Sequence, residues 1–370
     1  MKLVANRDAL HRGLQRIGGV VTSAVHQPLC HNVKLTAQDG AIQLSATDME
    51  MHLTLRVDGV EVQEEGTVLL PHSRISPIVA ATPDETIALH EEDGTAVVET
   101  GDGRFRILGE DPAEFPDAPA LPEQGVCEID AEMLGYMIRR TTFAAAQEKG
   151  RYALNGVLFV VSKEGAFELV AADGARLAHV KKKIANPDGV EVDFIVMTKG
   201  VDQLGRLAGY GGDAVRFAAM DKQFVAENEA GRLACLRVEG QFPNYQEVIP
   251  ADSKIKVQLP AKELLSAVRR ASFVTTDETR VVDFQFSKGA LAVTAEAPDV
   301  GRAEVRMEID YDGPDAQIAF NPEFIEDVLN IVEREAVKVR FVDRRSPCVF
   351  KSGLDYTYVV SPVIREEGEL

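Results

Sequence analysis

The sequence contains no tryptophan and only four cysteines, and aromatic residues make up 6% of its 370 positions. Cys30, Cys127, Cys235 and Cys348 are far apart and form no CxxC pair. That spacing excludes a zinc ribbon and a disulfide scaffold and predicts reduced thiols in a cytoplasmic protein. No apolar run reaches the roughly 18 residues that a membrane span needs, so no membrane partner is expected. The opening MKLVANRDALHRG lacks the apolar core of an export signal. There is no GxxxxGK[ST] loop, which excludes ATP hydrolysis by that route. The seven histidines show neither HxxxH nor HExxH spacing, and no metal is expected. GYGGD (209–213) follows a helical pattern rather than a strand, which argues against a dinucleotide site. The helix-turn-helix, zinc-finger and RNP-type signatures of base readout are also missing. No cofactor is implied.

What the chain has is acid and repetition. Its formal net charge is −19, which argues against indiscriminate binding of nucleic acid over the whole surface but leaves room for a local basic face. Three stretches share one helical pattern. Leu264, Val268 and Ala271 form an apolar stripe at i, i+4 and i+7. Arg269 and Arg270 then lie about 140° and 240° around the helix from Leu264. Leu134 and Ile138 point inward in the same way, with Arg139 and Arg140 outward. Leu10, Leu14 and Ile17 repeat the pattern, with Arg12 and Arg16 outward. A second helical pattern recurs at Ile75/Ile78, Val201/Leu204 and Ile325/Val328, disturbed in its first copy by Pro77.

Hairpin patterns lie between the helices. NVKLTAQDGAIQLSA (32–46), with its Asp-Gly turn, corresponds to 156–171 and 281–295, and a further hairpin follows each second helix at 86–100, 214–228 and 337–351. Phe115-Pro116 and Phe242-Pro243 close the first two copies. The expected fold class is α+β: three repeated domains, 1–120, 126–250 and 254–370, each with two helices on one face of antiparallel sheet. Joined edge to edge, the units would present the arginines on one concave side, with Lys199 added at the start of the second helix of unit two. Such a face suits a polyanion held by its phosphates without base reading. Three units do not close around a duplex but six do, which implies two copies head to tail. Asp48 and Asp173 occupy equivalent positions in ATDM and AADG. Their recurrence at strand ends points to turn capping rather than acid–base chemistry, so no catalytic residue is assigned. The competing class is a multi-domain enzyme with a small-molecule cleft between units two and three.

SATDMEM (45–51), RYALNGVLF (151–159), AADGARLA (171–178), GQFPNYQEVIP (240–250) and YTYVVSP (356–362) resemble the bacterial DNA polymerase III β subunit, the sliding-clamp family, over essentially the whole chain. The resemblance implies a DNA-clamp fold forming half of a closed ring, a homodimer around double-stranded DNA, and service as a processivity factor. Implied partners are the DNA polymerase III α subunit, the clamp loader complex and other proteins carrying clamp-binding motifs. It also implies a peptide pocket between domains two and three. Leu154, Ala172, Gly174, Arg176 and Leu177 would come from domain two, with Pro243, Val248, Val360 and Pro362 completing it. By the same resemblance the dimer edge would hold Arg104, Phe105 and Arg106 against Phe273 and Val274, with Glu296, Asp299 and Glu304 as acidic counterparts. The chain departs from the family in three places. Its end reads Ser361-Pro362-Val363-Ile364-Arg365 followed by EEGEL, Ala172 and Ala175 stand where Thr and His are common, and TSAVHQPL (22–29) lacks the usual basic residue.

Overall fold

The computed structural model describes residues 1–22, 27–92, 94–147, 152–332 and 335–364. Residues 23–26 of the 22–29 loop, Arg151, and Arg365 with the EEGEL end therefore lie outside the described residues.

Each expected helix forms. Helix α1 (Arg7–Ile17) starts where the Asn6 side chain accepts a hydrogen bond from the Ala9 N–H at 3.0 Å. It buries Leu10, Leu14 and Ile17 completely. Gly13 lets it lie close on the sheet: a Cβ there would meet Val57 at 2.6 Å and Leu44 at 2.8 Å. Helix α2 (His72–Ala81) continues past Pro77, whose ring costs one intrahelical bond without ending the helix. Helix α3 (Ala131–Arg139) is short, and α4 spans Thr198–Ala208. Helix α5 is a single turn, Tyr245–Val248. Helix α6 (Ala261–Ser272) and helix α7 (Pro322–Ile331) pack together, α7 opening on an Asn321 cap followed by proline.

The hairpins form where the turn chemistry placed them. Asp39 and Gly40 both have positive φ, 50° and 70°, the conformation that a two-residue hairpin of matching twist requires. The described residues divide into two compact units. The first comprises 1–135, 184–190 and 199–237; the second comprises 136–183, 191–198 and 238–370.

In the first unit a five-stranded antiparallel sheet runs in the order Val60–Glu64, Lys2–Asn6, Thr86–Glu92, Thr95–Glu99 and Arg104–Leu108. In a second sheet of that unit, strand Met51–Val57 of the first repeat pairs with strand Gly231–Val238 of the second. The second unit repeats this join: strand Arg176–Lys183 of the second repeat pairs with strand Tyr356–Val360 of the third. A four-stranded sheet completes it, in the order Gly301–Glu308, Ala290–Ala297, Val282–Ser287 and Ala316–Phe320. Its core is aromatic. Phe284, Phe320, Phe350 and Tyr358 contact in succession at centroid distances of 5.2, 6.1 and 6.3 Å, in the edge-on geometry that aromatic rings favour.

All four cysteines are free and buried. Burial raises each thiol, Cys127 to about 11 and Cys235 to about 12.

Candidate nucleic-acid and peptide interfaces

The recurring cations separate into two groups. Arg12, Arg139 and Arg270 are exposed and have no carboxylate partner among the described residues. Arg269 is also exposed but leans on α7, where Asn330 accepts its hydrogen bond at 2.6 Å and Glu326 sits 3.5 Å away. Arg16 is half-buried with its guanidinium 4.4 Å above the Tyr210 ring, and Arg206, in the last turn of α4, lies close enough to act on the same ring.

Arg140 breaks the expected pattern. It is 5% exposed, paired with Glu335 at 2.6 Å and held over Tyr136 at 4.2 Å and Tyr356 at 5.1 Å. Helix α3 ends at Arg139, and the chain tightens into a 3-10 turn at Thr142–Ala144. The Arg140 N–H still reaches the Tyr136 carbonyl at 3.3 Å, and its guanidinium is drawn inward to Glu335 and the two tyrosine rings. In α6 the helix continues to Ser272, so Arg270 keeps its outward direction. Lys199 is engaged too: its ammonium bonds Asp48 at 2.7 Å and also Glu50. Burial opposes its charge, but the two carboxylates outweigh that and hold its pKa above the ordinary value.

Asp48 and Asp173 cap equivalent turns. Asp48 accepts from the backbone N–H of Glu50 and Met51 at 3.0 and 2.6 Å. Asp173 accepts from Ala175 and Arg176 at 2.8 and 2.9 Å. In both repeats the second carboxylate oxygen takes a cation, Lys199 in one and Arg176 in the other.

Next to the Asp173 turn lies an apolar cluster. Cross-strand partners share a face, and successive residues along a strand alternate. Leu177, Val359 and Val349 share one face with Ala172, Val170 and Leu158, and all are buried. Leu154, Phe242, Tyr245 and Ile249 cover them and are only partly buried. Val248 on α5 is 46% exposed, and Pro243 is exposed beside it. Gly174 turns the hairpin at φ +96°. Ser361 donates to the Ala175 carbonyl at 2.8 Å, which holds the half-buried Pro362 at the same turn.

Arg176 and Val360 belong to the opposite face. Val360 is fully buried. Arg176 donates to Asp327 and to the Phe143 carbonyl and stacks 4.4 Å over Phe324. These two residues lie behind the cluster instead of in it.

Three family models cover the chain: the N-terminal domain of the DNA polymerase III beta subunit over residues 1–120, its central domain over 128–244 and its C-terminal domain over 246–363. The chain belongs to the DNA polymerase III beta subunit family. The beta sliding clamp of Pseudomonas putida is 29% identical over 368 residues, covering 98% of this chain and all of its own. A Pseudomonas aeruginosa sliding clamp solved with griselimycin bound is 28% identical, with a TM-score of 0.93 over 99% of this chain and 100% of its own. The Bacillus subtilis clamp, 22% identical, shares the fold with a TM-score of 0.94 over 99% of this chain and 100% of its own. The chain thus has three clamp domains and the function of a DNA polymerase processivity factor, and a small-molecule enzyme cleft is not favoured.

Within this clamp chain some polar groups escaped sequence reasoning. Glu168 accepts from the Tyr245 hydroxyl at 2.9 Å, contacts His179 at 2.8 Å and pairs with Lys181 at 2.7 Å. The His179 hydrogen bond is the main cause that lowers its pKa to about 2, against the opposing effect of burial. Burial and that carboxylate push Tyr245 up to about 12. The signal lay in FELVAADGARLAHVK, where polar residues interrupt strands otherwise apolar on that face.

The clamp's edge residues are placed as follows. Arg104, Phe105 and Arg106 lie on strand Arg104–Leu108, the last strand of its sheet. Phe105 is 40% exposed and Leu108 78%. Arg104 and Arg106 both reach Glu92 within their own sheet. Phe273 is 79% exposed at the end of α6, and Val274 is half-buried. Glu304 pairs with Arg306 on strand Gly301–Glu308.

Proposed function

We propose that two copies of this chain close head to tail into a ring around duplex DNA, act without enzymatic chemistry, and hold polymerase through a peptide taken up by the apolar groove. The observation that carries the reading is strand bookkeeping. Strand Met51–Val57 of the first repeat pairs with Gly231–Val238 of the second, and Arg176–Lys183 of the second with Tyr356–Val360 of the third. The next pair in that series is Gly301–Glu308 of the third repeat with Arg104–Leu108 of the first. Among the described residues, each of these strands has a partner on one side only. An open edge invites another chain, and pairing these two between copies completes the series. Exposed Phe105 and Leu108 would be covered in that interface, with Phe273 and Val274 alongside.

The domains are taken as 1–120, 126–250 and 254–370. DNA is met by Arg12, Arg139, Arg269 and Arg270, with Arg16 beside them, through phosphates and without sequence choice. Arg140 and Lys199 are left out of that surface because their charges are used inside the protein. The groove takes the polymerase III α subunit, the clamp loader and other motif-bearing proteins. Leu154, Ala172 and Leu177 accept an apolar anchor, with Val248, Pro243 and Pro362 at its rim. Four buried thiols fit a cytoplasmic setting.

Loading by a clamp loader onto circular and linear DNA, followed by gel filtration, tests the ring. Retention on circles and loss on linearisation are expected. Equal retention on both would overturn encirclement.

A further inference from the structure

Beyond the apolar groove, the same sheet face turns basic. Strand Ala336–Phe341 carries Lys338 and Arg340 on one side by alternation. Lys351 stands opposite Lys338, and Lys256 opposite Arg340. None of the four makes an ion pair among the described residues. Residues 336–351 hold five cations against one carboxylate, in a chain of net charge −19. That carboxylate, Asp343, is occupied by its own turn, accepting from Arg345 and Ser346.

The strip runs directly into the groove. Val349, part of the groove floor, lies between Arg340 and Val359 across the sheet. Between the two, a cavity of about 440 Å³ is walled by Tyr245 and Ile249 on the groove side and by Arg340, Lys351, Lys181 and His179 on the other. The carboxylates that reach it are Glu168 and Asp252. Glu168 is already shared among His179, Lys181 and Tyr245, so a carboxylate arriving from outside would meet Arg340 and Lys351 without competition from it.

We propose that this basic strip receives an acidic segment of the same peptide whose apolar anchors occupy the groove. The proposal rests on the groove reading and extends it to a class of partner: a motif flanked by Asp or Glu rather than by neutral or basic residues. Charge complementarity of this kind selects partners and speeds their arrival more than it deepens the apolar contact.

The test uses the full chain and labelled synthetic peptides with a Leu and a Phe anchor, carrying either aspartates or serines before or after the anchors, read by fluorescence polarisation. An acidic flank on one end is expected to tighten binding about tenfold at low salt, and high salt is expected to erase the gain. The gain should also collapse in an Arg340→Glu, Lys351→Glu variant that keeps its melting temperature. Lys256→Gln with Lys338→Gln, both at exposed strand positions, serves as the milder second variant. Equal affinity for acidic and serine peptides overturns the strip alone, as does a gain that survives both variants. Failure of every peptide to bind overturns the groove and the strip with it.

Discussion

Asp173 does three tasks with one carboxylate: it accepts two backbone N–H groups and orients Arg176. Charged acceptors at a partly buried turn are hard to replace, and Asp173→Ala is expected to lower unfolding free energy by about 2 kcal/mol, measured by chemical denaturation. Asp48 repeats the arrangement with Lys199, whereas the third repeat has Ala297-Pro298-Asp299 at the corresponding bend and no such cap among the described residues.

Arg140 makes a contrasting prediction. Since it lies between Tyr136, Tyr356 and Glu335, Arg140→Ala should lower the melting temperature while leaving the salt dependence of DNA retention as it was. Arg139→Ala should do the reverse, weakening DNA retention with little thermal effect. Glu168 supplies a pH signature. Its folded pKa of about 2 lies below the ordinary 4.5, so its stabilisation is complete above 4.5 and is lost as pH falls toward 2. A Glu168→Gln variant should therefore lose less stability than the parent between those two values, seen in denaturation curves across that range.

At the level of elements, the six longer helices and the hairpins were legible because their signals are local. Apolar residues at i, i+4 and i+7 mark a buried stripe, and Asp39-Gly40 needs nothing distant to turn. Helix length was less legible. Arg140 and Arg270 occupy one column of the repeat, yet α3 stops before position 140 and α6 runs beyond position 270. What turns Arg140 inward is Glu335 and Tyr356, distant partners that no stripe reveals. The apolar cluster beside the Asp173 turn illustrates facing: Val360 and Arg176 adjoin its residues in sequence and lie behind them because strands alternate. The open strand Arg104–Leu108 leads to a prediction at this scale. Phe105→Arg should weaken self-association, read by sedimentation velocity at decreasing concentration, with thermal stability of the chain little changed because the side chain is 40% exposed. Unaltered association would remove Phe105 from the interface.

At the level of the whole molecule, the cations among the described residues are of two kinds, free and paired. A chain of net charge −19 keeps Arg12, Arg139, Arg269 and Arg270 exposed, while many other cations are absorbed by local carboxylates, as at Lys199 and Arg176. Sequence composition reports the sum and not this sorting, which is why the net charge alone argues for too little about nucleic acid. The thiols offer a different handle on the molecule. Four sulfur atoms sit in the interior with their ionisation suppressed, and only an ionised thiol reacts quickly. Alkylating reagents or mild oxidants would therefore find almost nothing to attack until a domain breathes open, so the pace of modification at each cysteine becomes a clock for that domain's own opening.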